Sequence, residues 1–151
     1  MKALVATLAV VVCLFSPFAF GSLGGDAASV DSDRAQMKGS EQVTQASSYT
    51  VHQLTSASGT LVREYVSPAG HVFAVAWQGP FFPDMQQLLG SYFDQYSTAV
   101  KANKDAHVGR HPLNLQLPGL VVQMNGYMRA YHFRAYIPQQ VPAGVKEEAL
   151  R

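Results

Sequence analysis

Between Met85 and Val100 the apolar side chains fall at steps of three and four: Met85, Leu88, Leu89, Tyr92, Phe93, Tyr96 and Val100. Gln86, Gln87, Ser91, Asp94 and Gln95 fill the positions between them. That period gathers the apolar set on one face, and the spacing predicts one long helix from Asp84 to about Asn103. Asp84 stands as its N-cap, and Gln87 three residues on completes a capping-box pattern. Gly90 in the interior costs about 1 kcal/mol against alanine, which a close helix–sheet approach explains.

Runs of strand character flank this segment. Tyr49 to Thr55 and Thr60 to Val66 are rich in β-branched and aromatic residues and are separated by Ser56-Ala57-Ser58-Gly59. After the turn Ser67-Pro68-Ala69-Gly70, His71 to Trp77 is apolar on both faces and is expected to be the central strand. Gln78 to Pro83 ends it, because Pro80 and Pro83 lack backbone donors. Lys104 to Pro118 reads as a polar loop. Gly119 to Asn125 and Tyr127 to Pro138 form the last two strands, joined by a type I′ turn at Asn125-Gly126. In the final strand Tyr131, Phe133 and Ile137 alternate with His132, Arg134 and Tyr136. The expected fold is α+β: an antiparallel sheet of about five strands, in the order β-β-β-α-β-β, packed on one long helix.

The N-terminal side adds an arm. Asp26 or Ser29 can cap a short helix running to about Lys38, and polar Gly39 to Ser48 reads as a linker. The arm, 22–48, is either docked or loose, the single domain spans 49–142, and 143–151 is expected to fray. Residues 1–21 read as a secretory signal peptide: Lys2, an apolar run from Ala3 to Phe15, and small residues before a cleavage near Gly21 and Ser22. The run falls short of a span of about 20 residues. Cys13 follows Val12, which does not suit a lipid anchor. The expected location is periplasmic or secreted, with no integral span after cleavage.

Composition then narrows the chemistry. Cys13 is the only cysteine, so the mature chain has no disulfide, thiolate nucleophile or cysteine zinc site. Loss of Lys2 turns a formal charge of +1 into neutrality, which excludes nucleic acid and polybasic membrane binding as main roles.

Several short motifs occur together along the chain. They are Leu23-Gly24-Gly25, Ser58-Gly59-Thr60 with Val62 to Val66, and Val72 to Val75 with Trp77 and Gly79-Pro80. Pro83-Asp84, Leu88-Leu89-Gly90 and Phe93 follow, then Met128-Arg129-Ala130 with Arg134-Ala135 and Pro138. As a set they resemble a family of exported proteins of Gram-negative bacteria catalogued only as a domain of unknown function, number 2844. The resemblance covers nearly the whole mature chain. It implies export and a single domain, and brings no activity, cofactor or catalytic residue with it.

Candidate chemistry is sparse. Arg63 and Tyr65 on one strand, and His132, Arg134 and Tyr136 on another, can line an open sheet face that recognises a carboxylate, a sugar or a peptide terminus. The alternative is a solvent face where Arg63 and Arg134 pair with acids. In the loop, His107 and His111 lie four apart beside Asp105 and Arg110, but Gly109 and Pro112 oppose the helix a metal pair needs. Trp77, Phe81 and Phe82 form either an aromatic ledge or a plug between strand and helix. Asp31 and Asp33 lack a calcium loop after them. There is no G-x-S-x-G elbow, S-x-x-K or phosphate loop, and no cofactor or metal is expected. These readings favour a non-enzymatic exported module that binds another envelope or periplasmic protein. The alternative is a small hydrolase-like enzyme using a histidine and a carboxylate.

Overall fold

Val72–Gly79 (β4) runs through the middle of the molecule because no side chain from Val72 to Trp77 needs water on either face. Its first six residues are all buried. The computed structural model describes residues 23–103 and 112–151; residues 1–21, read above as a signal peptide, and the loop residues His107, Arg110 and His111 lie outside them.

Among the described residues the class is α+β, as expected, with seven antiparallel strands rather than five. They are β1 (Ser40–Gln45), β2 (Thr50–Thr55), β3 (Leu61–Val66), β4, β5 (Leu113–Leu117), β6 (Leu120–Tyr127) and β7 (Ala130–Tyr136). Their order is β1-β2-β3-β4-β7-β6-β5, so β4 is the central strand and the last three strands continue the sheet beyond it.

The two added strands come from segments read as linker and loop. In β1 five of six residues are exposed, so it carries no apolar period to reveal it. It is held by its ladder to β2 and by cross-strand pairs, including Glu41 Oε1 to His52 Nδ1 at 2.8 Å. In β5, Leu113 and Leu115 are buried and Asn114 and Gln116 exposed, a period-two signal only five residues long. β4 also continues through Gln78 and Gly79 before Pro80 stops it.

The expected long helix is broken. Met85–Leu89 (α2) ends at Gly90, whose φ of 51° and ψ of −125° leave the helical region. A 3-10 turn at Gly90–Tyr92 leads into Phe93–Ala102 (α3). Gly90 is therefore needed for a backbone conformation that a side chain disfavours. The apolar face survives the break: Leu88, Leu89 and Tyr96 are buried, with Met85, Tyr92, Phe93, Ala99 and Val100 packed against them. Asp84 caps the Gln86 and Gln87 amides at 3.0 and 3.1 Å. The Gln87 side chain donates through Nε2 to Asp33 and so ties the start of α2 to Asp33.

The arm is docked. Ala27–Met37 (α1) starts at an Asp26 cap, and Gly24 and Gly25 exchange main-chain hydrogen bonds with Val72 at 2.8 and 2.9 Å. Leu23 and Val30 enter the core. That core, between the helices and one sheet face, is built around Trp77, stacked on Phe133 at 5.9 Å, with Tyr96 edge-on to Phe133 at 6.2 Å. Each large apolar side chain fully buried there contributes about 1.5–3 kcal/mol. No helix among the described residues is long and apolar enough to cross a membrane.

Candidate functional site

Strand alternation sends Trp77, Phe133 and Val122 towards the helices and their neighbours to the opposite face. Register then sets that second face in rows. Gln53, Arg63, Ala76, Arg134 and Gln123 stand side by side on β2, β3, β4, β7 and β6. One row over lie Val51, Tyr65, Ala74, Tyr136 and Val121. On the other side Gln78, His132 and Asn125 line up. All five sheet residues singled out in the sequence, Arg63, Tyr65, His132, Arg134 and Tyr136, thus share one face.

That face is not open. Residues 143–151, expected to fray, lie across it: Leu150 is 1% exposed, and Tyr65 and Tyr136 beneath are 2% and 3% exposed. Leu150 packs with Tyr65, Phe73, Ala74, Ala76 and Tyr136 in a second apolar cluster, to which Val141 and Val145 add. Tyr65 joins Tyr49 and Phe73 in a group of rings with centroids 5.7–6.2 Å apart. One leucine among charged residues makes no periodic pattern, so this packing left little trace in the sequence.

The two arginines are held alike. Arg63 Nε donates to Gln53 Oε1 at 3.1 Å, and Arg134 Nε to Gln123 Oε1 at 2.7 Å. Arg63 Nη1 donates to the Arg151 carbonyl at 2.9 Å, and Arg134 Nη1 to the Glu147 carbonyl at 2.6 Å. Neither pairs with an aspartate or glutamate side chain among the described residues. The Tyr65 hydroxyl donates to the Arg151 carbonyl at 2.8 Å and accepts from the Arg151 amide at 2.9 Å. Burial raises the Tyr65 phenol above 10, an effect its bond to Arg151 opposes. Burial, reinforced by the Glu147 carboxylate, pushes Tyr136 to about 12. Both phenols are neutral donors over the physiological range. The glutamines were missed in the sequence, although a hairpin that pairs Thr55 with Leu61 also sets Gln53 opposite Arg63.

Beyond Leu150 the cover stops and a groove of about 560 Å³ begins. Gln78, Gln123, Asn125, His132 and Arg134 line it from the sheet, and Glu148 and Arg151 from the covering segment. Amide, imidazole and guanidinium groups offer donors and acceptors here, and His132 and Asn125 are exposed. His132 and Glu148 share the groove, but no hydrogen bond or ion pair joins them. Among the described residues no three His, Cys, Asp or Glu side chains form a metal-binding group.

The aromatic junction divides between its two readings. Trp77 is 1% exposed and acts as the plug, while Phe81 and Phe82 are 51% and 43% exposed. Phe82 contacts Trp77 and Tyr131, at 4.9 and 5.1 Å between centroids, and Arg129 sits over Phe81 at 5.9 Å.

The family described as "Protein of unknown function (DUF2844)" matches residues 19–150. No curated protein and no solved structure matches the chain.

Proposed function

The chain belongs to the DUF2844 family of proteins of unknown function, and from that premise we propose that it is an exported, non-enzymatic binding module for another envelope or periplasmic protein. The observation that carries this reading is the groove beside Leu150. It combines exposed amide and imidazole groups with an arginine whose Nε is already fixed by Gln123. Groups positioned before a ligand arrives lose less freedom on binding, which favours recognition. The apolar run at the N-terminus supports export.

Capture from envelope extracts tests the partner. The wild-type chain is compared with an Asn125→Ala, His132→Ala double variant, which changes only exposed positions. A specific catch lost in the variant supports the groove; a catch unchanged by it places binding elsewhere. Mass spectrometry tests export separately, with Ser22 expected as the first residue and an intact Met1 counting against it.

A second reading, a hydrolase-like enzyme, draws on His132 and Glu148 lining the same groove. It requires a bell-shaped pH dependence of some turnover that His132→Gln abolishes.

A further inference from the structure

The segment over the sheet is held as a bound peptide is held. Four hydrogen bonds, from Arg134 to Glu147, from Arg63 and Tyr65 to the Arg151 carbonyl, and from the Arg151 amide to Tyr65, all end on the segment's main chain. Tyr65 serves Arg151 as both donor and acceptor, which is how a neighbouring strand serves a peptide group. Leu150 enters the apolar slot between Tyr65, Phe73, Ala76 and Tyr136, with Val145 packed against the same cluster. Main-chain clamps with one side-chain pocket are the elements of peptide recognition.

The attachment is also confined to side chains of the sheet. Residues 147–149 form a 3-10 turn, and no strand pairs with them. β4, by comparison, is laddered on both sides. The arginines that hold the segment are preset by Gln53 and Gln123, so the clamp does not depend on the segment for its shape. Each guanidinium has an Nη2 without a protein partner among the described residues, and the groove continues past Leu150 to His132 and Asn125.

We propose that this face is a peptide-binding site, that residues 143–151 occupy it as a displaceable stand-in, and that its ligand is a short segment of a partner protein that enters as a single 3-10 turn, as residues 147–149 do. That segment carries an aliphatic side chain for the Leu150 slot and presents main-chain oxygens to the two arginines, as Glu147 and Arg151 do. The inference rests on the binding-module reading above and states what that module recognises.

A fluorescein-labelled peptide with the sequence of residues 143–151 is titrated, by anisotropy, with the full chain and with its Leu150→Glu variant. A carboxylate does not enter the apolar slot, so the variant's own segment is displaced and the site is free. Because the wild-type site is competent only in the fraction of molecules whose segment has left, its apparent affinity should be at least ~10-fold weaker than the variant's. Adding Arg63→Ala and Arg134→Ala to the variant should abolish binding. An unlabelled peptide with glutamate in place of its leucine should not compete. Absence of saturable binding to a Leu150→Glu chain with native circular dichroism overturns the proposal.

Hydrogen exchange on the wild-type chain covers the case in which that variant does not fold. Amides of 147–151 should exchange at least ~100-fold faster than those of β4, through local opening; exchange in step with β4 overturns displacement. A wild-type dimer that the peptide dissociates would replace the partner protein with a second copy of this chain. Peptide binding without envelope capture would leave this site standing and remove the partner reading; capture without peptide binding would do the reverse.

Discussion

Gly126 carries a constraint that most residues of β6 do not. Its φ is +135°, and a Cβ there would meet the Ala130 carbonyl oxygen at 2.3 Å and the Tyr131 Cα at 2.6 Å, both backbone atoms of the paired strand. Gly59 is the useful contrast: its φ is +83°, but nothing lies within 4 Å of the added carbon. Gly59→Ala should therefore cost about 1 kcal/mol, the left-handed penalty alone. Gly126→Ala adds a clash that no side chain can relieve and should cost about 3 kcal/mol. Urea midpoints of the two variants check the difference, and equal losses would refute the close approach. Glu41 gives a second test. Hydrogen bonds from His52 and then Arg34, both at 2.8 Å, hold its carboxyl below the ordinary 4.5. A depressed folded-state pKa contributes stability that is present above the ordinary value and is lost as pH falls through the folded one. Glu41→Gln should destabilise the chain at about pH 6, and the difference from wild type should shrink steadily as pH falls below the ordinary value and through the lowered folded one, as read from urea unfolding across an acid series.

At the scale of elements, what the sequence disclosed follows the apolar period. The helical face from Met85 to Val100 was legible because its residues repeat over several turns. The break at Gly90 was not, since a glycine that interrupts a helix and one that lets a sheet approach look alike in sequence. β1 escaped because its ladder to β2, rather than buried side chains, defines it. The last hairpin shows local preference yielding to register. Asn125-Gly126 has the stronger turn propensity, yet both residues pair with β7, opposite His132 and Tyr131. The turn falls on Met128 and Arg129, at φ of 49° and 67°. Two residues with side chains in the left-handed region carry strain of about 1–2 kcal/mol each. Replacing them by asparagine and glycine, as Met128→Asn with Arg129→Gly, should raise stability by about 1 kcal/mol. Part of the relief is offset by loss of the Arg129–Phe81 contact, so Arg129→Gly alone should gain less. Thermal unfolding of the single and double variants measures this, and a double variant less stable than wild type would contradict the turn assignment.

For the molecule as a whole, the sheet has two unequal cores. Period-two alternation in β3 and β7 was enough to put the five candidate residues on one face, but not to tell that a tail with one leucine covers it. The helix-side core holds Trp77 and Leu89; the other is closed largely by Leu150. Leu89→Ala opens a cavity under helices that cannot leave without unfolding the domain, so it should cost about 2–5 kcal/mol. Leu150→Ala has an upper limit that Leu89→Ala lacks. Once the lost burial exceeds the free energy that docks 143–151, the segment lets go, and the remaining core no longer feels the substitution. Trp77 is the only tryptophan and packs in the helix-side core, so its emission reports chiefly global unfolding. In urea, Leu89→Ala should lower the tryptophan midpoint by several times the shift that Leu150→Ala produces. The same Leu150→Ala chain should exchange the amides of 147–151 faster than wild type while those of β4 keep their protection. Equal midpoint shifts in the two variants would mean that the tail-side cluster unfolds as one unit with the helix-side core, and that the sheet has a single core folded around both of its faces.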